Sequence, residues 1–237
     1  MKETRLAFTA ESILAKQAGR KTQTRRPVRR SKAARAVFGG NDMYEGDKWW
    51  IGPHPRSGWW AIDDPSGPNE WLRQLHEDDD SEGFLCPYGQ PGDMILATET
   101  WKLDDIQASD WSVKVRYRAD NSISGWIAVR DRMVFWRAFT YWRDHPNTWR
   151  SPRYMPKEFV RFRWPLDSLR VERLQGITPE DAIAEGVEFT KWYLPPEDTL
   201  DPVRAYAYWW DSINGKTFPW ESNPWVYVLG LGEATNG

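Results

Sequence analysis

The 237-residue sequence has a single cysteine, Cys86, only three histidines, and no long apolar run. One thiol excludes an internal disulfide and predicts a reducing compartment. His54, His76 and His145 are too scattered for a zinc pattern, so neither a metal nor a cofactor is expected. No stretch approaches the roughly 18 apolar residues of a membrane helix, and the opening MKETRLAFTAES has no hydrophobic signal core. These absences predict a cytoplasmic protein without a membrane partner.

What is abundant is tryptophan, 17 residues, alongside a charge that is small in total and uneven along the chain. The net charge is −2, yet residues 1 to 60 hold 13 Lys and Arg against 5 Asp and Glu. Residues 63 to 82 hold 8 acids against Arg73 alone, and residues 130 to 170 hold 10 bases against 4 acids. Basic segments with Trp136, Trp142, Trp149 and Trp164 interleaved suit a polyanion whose bases stack on indoles. Solvated arginines around a Trp-rich core explain the same composition.

Several elements are legible. TAESILAKQAG (9–19) predicts a short helix capped by Thr9, with Ile13, Leu14 and Ala18 on one face and Gly19 as its stop. KTQTRRP reads as an irregular loop. Residues 31 to 90, with GG, PSGP and EDDDSE, read as a long insertion in which Trp49, Trp50, Trp59 and Trp60 pack back onto the body. After the PGD turn (91–93), MILATETW, VKVRYRA, LDSLRVERL and WVYVLGL predict strands far apart in sequence, which favours a closed or nearly closed barrel. ITPEDAIAEGV predicts a helix capped by Thr178 and stopped by Gly186, and PVRAYAYWWDSING another, with Ala205, Tyr206, Trp209, Trp210 and Ile213 as its apolar stripe and Gly215 as its end. The expected class is α+β, mainly β, in one domain spanning 1–237.

The sharpest chemical pattern is AGRKTQTRRP (18–27). A threonine hydroxyl is a poor nucleophile that needs a neighbouring base, and a lysine serves only when burial or nearby cations lower its pKa. Lys21 and Thr24, beside Arg20, Arg25 and Arg26, meet those conditions on paper; a basic solvated turn is the plainer alternative. Glu185 stands at the negative end of a short helix, where a carboxylate is mildly unfavourable, and Lys21 or an adjacent arginine is its candidate partner.

AGRKTQTRRP, PGDMILATETW, ERLQGITPEDAIAEGV and WDSINGKTFPWESNPWVYVLGL together resemble the ASCH domain family, especially the larger ASCH proteins of bacteriophages and prophages. The resemblance covers both ends and the middle, leaving chiefly 31–85 and 186–201. It implies a PUA-like β-barrel with short flanking helices, a cleft lined by the KTxTxR loop, and a link to RNA. One branch hydrolyses the amide of N4-acetylcytidine to cytidine and acetate. That resemblance implies Thr24 as nucleophile, Lys21 as base and Glu185 as proton shuttle or lysine holder. Arg25 and Arg26 would bind substrate, and Arg26 also matches the family pattern. Members of that branch are shorter, and other ASCH proteins share these motifs without the activity.

Glu99 and Trp101 beside the PGD turn, and Arg161 in MPKEFVR, are further candidate substrate contacts, although an edge strand with one polar face accounts for the first two. The expected partner is thus a modified nucleoside or nucleic acid, RNA before DNA. A non-catalytic module reading a modified base, and a phage accessory or assembly protein using the Trp-rich insertion as a partner surface, are the alternatives. Asn223 and Trp225 are expected to lock the last strand, and Cys86 to be a passive thiol.

Overall fold

A computed structural model describes residues 1–28, 50–53, 60–63, 86–188 and 201–233. The expected insertion therefore lies mostly outside the described residues, as does the packing of its tryptophans. The strands are β1 (Glu3–Ala7), β2 (Gln23–Pro27), β3 (Trp50–Pro53), β4 (Trp60–Asp63), β5 (Met94–Thr98), β6 (Trp101–Gln107), β7 (Ser112–Tyr117), β8 (Ile127–Ala128), β9 (Phe162–Arg173) and β10 (Trp225–Leu231). The helices are α1 (Ala10–Gln17), α2 (Arg132–Asp144), α3 (Pro179–Ala184) and α4 (Pro202–Asn214). The class is α+β with mainly sheet content.

The main sheet has the order β1-β5-β9-β10-β2; a second has the order β6-β7-β8, and β3 pairs with β4. Only β1 and β5 run parallel within the main sheet. The twelve-residue β9 organises it: Phe162–Pro165 pairs with β5, and the stretch from Leu166 to Arg173 pairs with β10. A bulge falls at Gly230/Leu231, where a Cβ on Gly230 would lie 2.2 Å from Ser168 Oγ. Glycine is required there by close approach.

Among the described residues this sheet does not close into a barrel, which corrects the closed form of the expected architecture. Its edges, β1 and β2, share no ladder, and α1 is the element that joins them along the chain. A side chain spans the gap: Arg26 Nη2 donates to the Ala7 carbonyl at 2.6 Å, and the guanidinium lies 5.1 Å from the Phe8 ring centroid.

Period-2 alternation sorts the core. Tyr227, Leu229 and Leu231 of β10 face a first cluster with Leu6, Phe8, Ile13, Ile95 and Trp164, while Val226 and Val228 face another with Leu174, Ile177, Tyr206 and Trp210 of the α3–α4 side. Leu96 of β5 turns to a third cluster under the β6-β7-β8 sheet, with Trp101, Val113, Val115, Phe135 and Phe159. A strand buried on both faces explains why MILAT reads as a continuous apolar run. MILATETW is two strands rather than one, because the chain passes at Glu99 and Thr100 from the first sheet to the second.

The loop expected at KTQTRRP is strand β2, every residue of which is buried or half-buried. Its polar side chains hide the strand signal; the ladder to β10 and distant ion pairs supply it. Helix α2 carries no expected signal either. Asp131 caps it by accepting from the Met133 and Val134 amides, and Phe135 and Ala138 are its buried pair. In α1 the buried residues are Ser12, Ile13 and Ala15, whereas Leu14 is exposed, so the apolar face lies one residue away from the expected stripe. In α4, Ala205, Tyr206 and Trp210 are buried but Ile213 is exposed.

Two motifs act as fasteners. Asp93 of PGD accepts from the Lys2 amide at 2.6 Å and the Gln90 amide at 3.1 Å, which holds its carboxyl below the usual range, and Gly92 takes φ +94°. Asn223, at φ 41°, accepts from the Gln175 amide at 2.8 Å, and Arg173 lies over the Trp225 ring. Cys86 is buried, and its thiol is pushed up to about 11. A disulfide reagent at pH 8 is therefore expected to label folded protein far more slowly than urea-unfolded protein, with equal rates excluding this placement.

Candidate functional site

The Cβ pattern of β2 divides the KTxTxR side chains. Arg25 pairs across the ladder with Val228 and therefore faces α3 and α4; Thr24 pairs with Leu229 and Arg26 with Tyr227, so both face the first cluster. Lys21, two residues before the strand, lies on the Arg25 side.

There the chain closes a network over long sequence separations. Lys21 Nζ donates to the Glu185 carboxylate at 2.9 Å and to the Glu185 carbonyl at 2.8 Å, and both side chains are fully buried. Arg25 reaches Glu185 Oε1 at 3.2 Å, Glu172 Oε1 at 2.6 Å and Asp181 Oδ2 at 2.8 Å. Arg170 completes it with 3.0 Å to Glu172 and 2.6 Å to Asp181. Three cations meet three carboxylates, so the charge within this network balances.

Local chemistry explains why α3 brings Glu185 here. Thr178 caps the start by accepting from the Asp181 amide, Pro179 occupies the first helical position, and Glu185 is the C-cap before Gly186 at φ +78°. The final carbonyls of so short a helix need donors. The Thr22 amide reaches Ala184 O at 2.8 Å, Gln23 Nε2 reaches Asp181 O at 3.0 Å, and Lys21 takes Glu185 O. The cationic Lys21 thus answers the unfavourable placement of a carboxylate at a helix end.

Burial pushes the Lys21 amine below its usual range, against the pull of the Glu185 carboxylate, with Arg26 and Arg25 adding to the lowering. Burial likewise lowers Arg26, which has no carboxylate partner among the described residues. Among the described residues Arg25 Nε and Tyr206 Oη, on this side of β2, are buried without a hydrogen-bond partner.

Beside the network lies a groove of about 330 Å³ between α1, the end of α3, and α4, lined among others by Ser12, Arg20, Glu185, Trp209 and Ser212. The Trp209 ring forms part of its wall, with Lys21 Nζ 5.6 Å from the ring centroid. Sequence reading placed Trp209 in the core stripe of α4 and did not single out Ser12 or Ser212. Only the crossing of α1 and α4 reveals them.

The structure therefore brings Lys21, Arg25 and Glu185 together. The Thr24 hydroxyl is buried and hydrogen-bonds neither Lys21 nor Glu185. The other expected contacts are elsewhere. Trp101 is 0% exposed inside the β6-β7-β8 cluster, against Phe159. Glu99, raised by burial, takes a two-pronged bond from Arg161 at 2.7 and 3.0 Å. The third nitrogen of Arg161 donates to Asp120 and Ser122, and the plane lies over Tyr117 and Phe162. With its donors used, Arg161 is a strut between the sheets rather than a free substrate contact. Among the described residues no group of three His, Cys, Asp or Glu could hold a metal ion, and no helix is long and apolar enough to cross a membrane. The chain matches no family model, no curated protein and no solved structure.

Proposed function

We propose that this chain is a nucleoside- or nucleic-acid-binding protein of the ASCH kind, with the groove between α1, α3 and α4 and the charged floor beneath it as its ligand site. The observation that carries the reading is the meeting of Lys21 and Glu185, 164 positions apart and fully buried, beside a groove with an indole wall. Trp209 offers a stacking face for a base, and Ser12, Arg20 and Ser212 in the groove lining suit its carbonyl and ring acceptors. RNA is the preferred polymer, as the ASCH resemblance implies.

Hydrolysis of an N4-acylated cytosine is the reaction these residue types would support. The Thr24 hydroxyl would attack the acyl carbonyl while Lys21 takes its proton; the N4 amine would leave with a proton, and water would release the acid from the threonine ester. The lowered Lys21 pKa favours this reading. The non-catalytic reading is favoured by the commitment of the lysine to Glu185 and by the orientation of Thr24 towards the first cluster.

Incubation with N4-acetylcytidine and chromatography separates the two. Cytidine release that rises with pH as Lys21 loses its proton, and that disappears in Thr24→Ala, is expected of the hydrolase. Calorimetric binding without release, weakened in Trp209→Ala, is expected of the binding module. A folded protein that shows no release and no binding would overturn the proposal.

A further inference from the structure

The strand VKVRYR, at 113–118, has one face in the core, with Val113, Val115 and Tyr117 buried. Alternation puts Lys114, Arg116 and Arg118 in a row on the opposite, outward face. Lys102 of β6 joins them, directly across the ladder from Arg116. Like charges in directly opposed positions cost a sheet stability, so a merely solvated face gains nothing from this arrangement.

The local acids do not neutralise it. Asp104 binds Arg116 at 2.7 Å, and Asp105 stands 4.0 Å from Lys114. Four cations against these two carboxylates leave a net of +2. Lys102 and Arg118 have no carboxylate partner among the described residues; both instead lie over one indole, Trp149, at 5.1 and 5.9 Å. At the other end of the row Lys114 lies 4.5 Å over Trp126, which is 46% exposed.

We propose that this outward face of the β6-β7-β8 sheet binds single-stranded nucleic acid, with Lys102, Lys114 and Arg118 along the phosphates and Trp126 and Trp149 as stacking platforms. A row of cations flanked by indoles matches the two recurrent parts of sequence-tolerant strand binding, backbone charge and base stacking. A duplex would engage the cations and leave the indoles idle, because its bases are already stacked. The inference rests on the nucleic-acid part of the proposed function but uses none of the groove residues.

The test is fluorescence anisotropy of full-length protein with labelled single strands of about 20 nucleotides, RNA and DNA, a matched duplex, and N4-acetylcytidine as competitor. Trp126→Ala is expected to weaken single-strand binding about tenfold or more. Lys114→Gln with Arg118→Gln should lower the slope of log affinity against log salt by about 1.4, from two lost phosphate contacts. These side chains lie on an outward face, and circular dichroism of each variant confirms its fold. Strand binding unaltered in both variants overturns the proposal, as does duplex binding that equals single-strand binding. Nucleoside binding with no strand binding at low salt overturns it while leaving the groove reading intact. Strand binding through this face without nucleoside binding does the reverse.

Discussion

Glu185→Gln is expected to lower the free energy of unfolding by roughly 3–5 kcal/mol, the usual consequence of removing one partner from a buried ion pair. The glutamine retains the backbone carbonyl that Lys21 uses, but it withdraws the only carboxylate bonded to that amine among the described residues. Arg25 keeps Glu172 and Asp181, so the loss falls mainly on Lys21. Urea denaturation of the variant checks it, with Glu188→Gln as the control. Glu188 pairs with Arg20 where both side chains are more than a third exposed, and a surface pair of that kind contributes roughly 0–1 kcal/mol. Equal losses in the two variants would show that Glu185 is not the buried counter-ion described.

The second large effect is expected at Gly186. Its φ of +78° disfavours any side chain, and an added Cβ would stand 2.8 Å from Ala15 Cβ and 2.8 Å from Lys21 Cβ. Backbone strain and overpacking together predict a loss of roughly 2–4 kcal/mol for Gly186→Ala. The clash presses on the residue whose amine meets Glu185, so ligand binding in the groove should weaken as well. Ala15→Gly in the same chain should restore only part of the stability, since it relieves one of the two contacts and leaves Lys21 displaced. Full recovery in the double variant would contradict the packing of α1 and Lys21 around the end of α3.

Both effects depend on a contact between chain segments that meet only in the folded molecule. The sequence alone marked Gly186 as a helix stop and Glu185 as a residue set against the local dipole, because caps and dipoles act within about one helical turn. It could not tell whether Lys21, Arg25 or solvent answered that charge. Nor could it place Trp209, whose spacing along α4 suits a core stripe and a groove wall equally.

Short-range chemistry in the sequence determined the starts and stops of α1, α3 and α4, the PGD turn, and the alternating strands β7 and β10, each through contacts a few residues apart. Tertiary structure decided that QTRRP is a strand, that the main sheet stays open between β1 and β2, and that Arg25 and Thr24 face opposite sides. Strand β2 is held by a ladder to residues 226–230 and by salt bridges to Glu172, Asp181 and Glu185. None of those partners lies near it in the chain, so no local propensity could announce it, and a one-residue change of register would have exchanged the two faces.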